Sequence, residues 1–153
     1  MKNKWVKIAV PIFATVLLMY AMVYIDVTLR ARSAYLEAEK YSYWHGHPEA
    51  KKQALQEKLN VEIKKLDVKL AKKKISKEDY DRETEVAKFN HGRELEESSI
   101  KYAYVWYQTV IELFSPPESK WVKLSRQKLP AAKTLWRKEL ESKGIKVEDY
   151  MLE

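Results

Sequence analysis

One unbroken apolar stretch dominates the start of the chain. Residues 8–25, IAVPIFATVLLMYAMVYI, hold no charged side chain. A helix over that stretch rises ~27 Å, close to the ~30 Å hydrocarbon core of a bilayer. Val6 and Val27 lengthen it, and Trp5 and Tyr24 stand near its ends, where amphipathic rings favour the membrane interface. Pro11 is expected in the first helical turn, where a missing N–H costs little. The pattern predicts a transmembrane anchor over residues 6–27, with membrane lipid as its partner. Two alternatives stand beside it. The basic start MKNKWVK fits a cleavable signal peptide, which would leave a secreted helical protein. The apolar stretch exceeds the usual length of such a segment, however, and Asp26, Arg30 and Arg32 follow it. A buried core helix would need more surrounding chain than 153 residues supply.

Residues 26–45 keep a helical pattern until Gly46 and Pro48 interrupt it. Pro48 suits the first position of a new helix, and Glu49 follows near its positive end. Over residues 48–74, Leu55, Leu59, Ile63, Leu66 and Leu70 recur at spacings of 4, 4, 3 and 4, which is one helix face. These positions make a short seam, not a long coiled coil. Ser76, with Glu78 and Asp79 behind it, signals the next helix start. So short a link predicts an antiparallel hairpin. Its second arm carries only Tyr80, Val86, Phe89 and Leu95 as large apolar groups, so the hairpin looks under-filled.

Residues 100–114, IKYAYVWYQTVIELF, are aromatic and nearly uncharged. As a helix they rise ~22 Å, too short for a comfortable span. They read as a core helix, a docking surface or an interfacial segment. The run Ser115-Pro116-Pro117-Glu118 predicts a helix capped by Ser115. Pro130 is expected to end or kink that helix. A last short helix over residues 131–143 would follow, with Gly144 at its C-terminal cap. The class is all-α: a single N-terminal transmembrane helix, a helical hairpin and short C-terminal helices. The expected segments are an anchor (1–29), a charged hairpin with an aromatic helix (30–114) and a basic C-terminal region (115–153).

Charge sharpens the hairpin. The chain carries 29 Lys and Arg against 22 Asp and Glu, net +7. Residues 51–74 are net +6 and residues 78–97 net −5, so the folded arms face opposite charge. Each exposed pair contributes about 0.5 kcal/mol, enough to choose register more than stability. Residues 118–146 are net +6, with Trp121 and Trp136 interleaved, and suit contact with anionic lipid at the C-terminal helices. Nucleic acid is not expected, because one basic block is matched by an acidic arm. Three Gly and five Pro disfavour turn-rich β folds. Zero Cys excludes disulfides, Cys-ligated zinc, iron–sulfur clusters, covalent c-type haem and a thiol nucleophile.

Little in the sequence carries chemistry. It has no nucleophile elbow, phosphate loop, Rossmann turn or zincin motif, so no catalytic residue and no enzyme activity are expected. His45, His47 and His91 are the metal or haem candidates, and a cofactor-binding membrane subunit is the alternative reading they define. No cofactor is expected. Tyr102, Trp106, Tyr107, Trp121 and Trp136 are the expected partner contacts, since exposed Trp and Tyr dominate interface energies; burial inside the monomer would remove them from that set. Lys2, Lys4 and Lys7 before the anchor tie with Arg30, Arg32 and Lys40 after it. The free amine and short tail favour an inside N-terminus and an extracytoplasmic body. The expected function is a single-pass accessory or assembly subunit that docks through helices on a membrane or envelope complex.

Overall fold

A computed structural model describes the backbone of residues 2–148 and the side chains of residues 9–148. Trp5, Val6 and the acidic tail after Glu148 therefore lie outside the described side chains. The described chain is all-helical, without strands: α1 (Lys2–Gly46), α2 (Pro48–Ala71), α3 (Lys77–Glu96), α4 (Ser99–Leu113) and α5 (Lys120–Ser142). It divides into two units. One contains residues 1–40 and 100–153, the other residues 41–99. In the first unit the aromatic α4 packs with α1 and α5.

In the second unit, α2 and α3 form the antiparallel pair. Lys58 bonds Glu94 at 2.6 Å, while Lys69 meets Glu83 at 3.7 Å, so partner numbers fall as α2 advances. Leu55, Leu66 and Ala87 are buried. Pro48 opens α2, and Ser76 caps α3 by accepting the Asp79 N–H at 3.0 Å. Lys51 is the unexpected member. It is buried, and its Nζ donates to the carbonyls of Leu95 (3.0 Å) and Glu97 (2.6 Å). Those are end carbonyls of α3, where acceptors go unsatisfied and the dipole favours a cation.

α2 closes three residues earlier than expected, at Ala71. The Lys74 N–H bonds Lys69 O and the Lys73 N–H bonds Leu70 O, both at 2.9 Å. This is a Schellman closure with Lys73 at φ 53, the left-handed position that glycine fills without a Cβ penalty. Lys73→Gly should stabilise the hairpin by about 0.5–1 kcal/mol, after its greater unfolded-state entropy is counted. Chemical denaturation should show a later midpoint with unchanged slope.

Three local expectations need correction. α5 is capped by Ser119, whose side chain accepts from the Val122 N–H, not by Ser115. Pro117 bars the helical conformation from Pro116, so the helix cannot start there. α5 also runs through Pro130 as one helix, in place of the two short ones expected. A proline removes a single N–H, and the burial of Val122, Ser125 and Ala132 on both sides of it holds the helix together. Lastly, Pro11 lies inside α1, not in its first turn, and Thr15 Oγ1 donates to the Pro11 carbonyl at 2.8 Å. Gly144 does terminate α5, at φ 76, with the Ile145 N–H on Leu140 O and its own on Glu141 O.

Candidate functional site

Among the described residues, α1 is the one helix long and apolar enough to cross a membrane, and it lies near the N-terminus. Every side chain from residue 9 to residue 26 is exposed. Burial starts beyond that stretch, at Ala31, Ala34, Tyr35 and Ala38. The same helix thus has one length without protein neighbours and a second length inside a core. Soluble monomers rarely expose so large a contiguous apolar surface.

The core of this unit is built from three helices. α4 contributes Ile100, Ala103, Tyr104, Tyr107 and Val110, and α5 contributes Val122, Ser125 and Ala132. Their contacts fix direction. Trp121 of α5 packs on Tyr35 (centroids 5.4 Å) and lies beside Arg32, whereas Lys128 reaches Glu39. α5 therefore runs alongside α1 in the same sense. α4 runs back between them: Tyr107 packs on Tyr35 at 6.0 Å, and the earlier Tyr104 packs on Trp136 at 5.3 Å, well along α5.

A polar node lies at the edge of this core. The Tyr107 hydroxyl donates to the Glu39 carboxylate. Lys128 Nζ donates to both Glu39 oxygens, at 2.7 and 2.6 Å. Burial alone would push the Glu39 carboxyl up, but the bonds from Lys128 and Tyr107, with the lysine charge, hold it below the ordinary range. Burial likewise pulls Lys128 down, and its bond and charge contact with Glu39 reverse that and raise it. The Tyr35 hydroxyl is raised by burial and then by the Glu39 charge. Such a node orients three helices; nothing about it activates a nucleophile.

The aromatic residues expected at an interface separate into two groups. Tyr107 is buried, at 1% exposure, and belongs to the interior. Tyr102, Trp106, Trp121 and Trp136 are half-buried. Tyr102 and Trp106 are four apart on α4, hence on one side of it. Neither Glu39 nor Lys128 was singled out from sequence. Glu39 lies four residues after Tyr35, one turn along the buried face of α1, which is the signal that marks it.

The histidines belong to the other unit. His45 and His47 are exposed, and His47 stacks on Tyr43 (4.2 Å, 18°) with its Nδ1 3.0 Å from the Tyr43 carbonyl. His91 lines a shallow cleft with Leu55, Lys58, Ala87, Asn90 and Glu94, and its Nε2 is buried without a hydrogen-bond partner. No three His, Asp or Glu side chains gather into a metal-holding group among the described residues. Compared with protein families, curated proteins and solved structures, the chain matches none.

Proposed function

We propose that this chain is a single-pass membrane-anchored accessory or assembly subunit, docking through its helical body on a membrane or envelope complex. The carrying observation is the division of α1: an apolar length exposed on all sides continues without a break into a three-helix core. Anchoring confines the body to the membrane plane, where a high local concentration strengthens weak helix contacts. Tyr102, Trp106, Trp121 and Trp136 offer aromatic surface for such a contact. In this reading the N-terminus is inside, the body extracytoplasmic, and the chain performs no catalysis.

The test is isolation of the full chain from its own membranes in mild detergent. It should migrate in a stoichiometric assembly well above 18.1 kDa plus micelle. Tyr102→Ala with Trp106→Ala should release it, by about tenfold or more in affinity if either residue is a hot spot. A chain that migrates alone, with or without the substitutions, would end this reading.

A further inference from the structure

The same unit carries a second surface, at its anchor-proximal end, whose height above the bilayer follows from helix geometry. Tyr35 lies ten residues past Ile25, or ~15 Å along α1 at 1.5 Å per residue. Tyr107 packs level with Tyr35, and α4 then runs six residues back toward the anchor, ~9 Å, to Leu113. Leu113 therefore stands ~6 Å beyond the level of Ile25, within the ~5–7 Å headgroup layer on each side of the hydrocarbon core. It is 71% exposed, and Leu29 at the same level is 54% exposed. Two leucines facing outward at that height are unexplained by the protein's own packing.

Cations ring the same end. Arg32 and Lys120 flank the Trp121 ring at 5.8 and 5.5 Å, and Lys123 follows one turn along α5. None of the three has a carboxylate partner among the described residues. The carboxylates nearby are already engaged: Asp26 with Arg30 at 2.8 Å, Glu118 with Arg126 at 2.7 Å, and Glu112 with the Gln108 amide at 2.7 Å. Arg and Lys stems reach several ångströms down from the level of Trp121 toward phosphate. The Trp121 ring lies level with Tyr35, ~15 Å past Ile25 and so above the headgroup layer, and it holds the two cations over that layer.

We infer that this end of the unit is a binding site for anionic phospholipid headgroups. Arg32 and Lys120 reach down to the phosphates, and Leu113 and Leu29 sit lower, within the headgroup layer. The inference rests on the anchored reading of α1. It deepens that reading, because the body is then held against the bilayer surface, not merely tethered to it.

The experiment uses the full chain in nanodiscs of phosphatidylcholine with a minor fraction of phosphatidylglycerol. Gentle extraction and native mass spectrometry count the lipids retained. Wild-type chain should retain phosphatidylglycerol well above its share of the bilayer. Arg32→Gln/Lys120→Gln should cut that enrichment by about tenfold or more, since each cation near an anionic surface strengthens attraction roughly fivefold. Lys133→Gln/Lys138→Gln, further along α5 from the anchor, should leave it unchanged and so controls for net charge. Circular dichroism checks that every variant keeps its helices. Enrichment that survives the double substitution, or falls equally in the control, overturns the headgroup site while leaving the anchor intact. Chain that never enters the discs overturns the anchor itself, so the two failures are distinguishable.

Discussion

Tyr107→Ala should strongly destabilise the three-helix unit. The side chain is fully buried and contacts Tyr35 while bonding Glu39, so truncation opens a cavity beneath both neighbours. Such aromatic deletions cost about 3–5 kcal/mol, against a total of about 5–15 kcal/mol for a typical domain. Hydrogen exchange on the full chain in detergent should show protection lowered by about two to three powers of ten or more across α4 and α5. Tyr107→Phe should cost only about 1 kcal/mol, because Lys128 still holds both Glu39 oxygens. If the alanine variant keeps wild-type protection, Tyr107 does not organise this core.

The node also sets a pH dependence with a definite sign. The Glu39 carboxyl is lowered on folding, so its contribution is present above its unfolded value and lost as pH falls through the folded one. Lys128 is raised, so its contribution is present below its unfolded value and lost as pH rises through the folded one. Between these limits the pair stabilises the unit evenly. Both side chains are a third or more exposed, so screening limits the pair to about 1 kcal/mol. Glu39→Gln should flatten the acid side of a stability profile.

How much of this was legible in the residues depends on the kind of signal. Periodicity found α2, because Leu55 and Leu66 lie on a face that α3 covers. Charge found the pairing of its arms, and Lys58–Glu94 and Lys69–Glu83 realise it. Ser76 and Gly144 declared themselves as caps, since each is the residue type its position demands. What stayed hidden was tertiary. Ser115 read as the cap of α5, but Ser119 holds that place, because Pro117 keeps Pro116 out of the helical conformation. Pro130 read as a break because local rules omit the apolar face that carries α5 past it. Lys51 read as one more solvated lysine, although it stands one turn before Leu55 on the leucine seam. Tyr107 looked like its half-buried neighbours Tyr102 and Trp106, because composition does not say which side of α4 turns inward.

The second large effect concerns the anchor. Leu17→Arg/Leu18→Arg places two guanidiniums at the centre of the apolar length of α1, where both leucines are now exposed. Each exchange costs about 3 kcal/mol of insertion free energy, so the pair moves the equilibrium by roughly four powers of ten. Wild-type chain should remain in the membrane pellet after carbonate extraction, and the variant should leave it or be degraded. Ser142→Cys, in a chain with no other cysteine, supplies the second readout with a membrane-impermeant maleimide. Labelling with the inner membrane intact places the body outside; labelling only after permeabilisation places it in the cytoplasm. The same gel reports mass. A labelled chain shorter by the first ~30 residues would make the apolar length a cleaved signal, in keeping with its position and composition. A full-length chain that resists carbonate, and that two arginines expel, leaves membrane insertion as the reason for an exposed apolar surface of this size, since none of the described residues covers it.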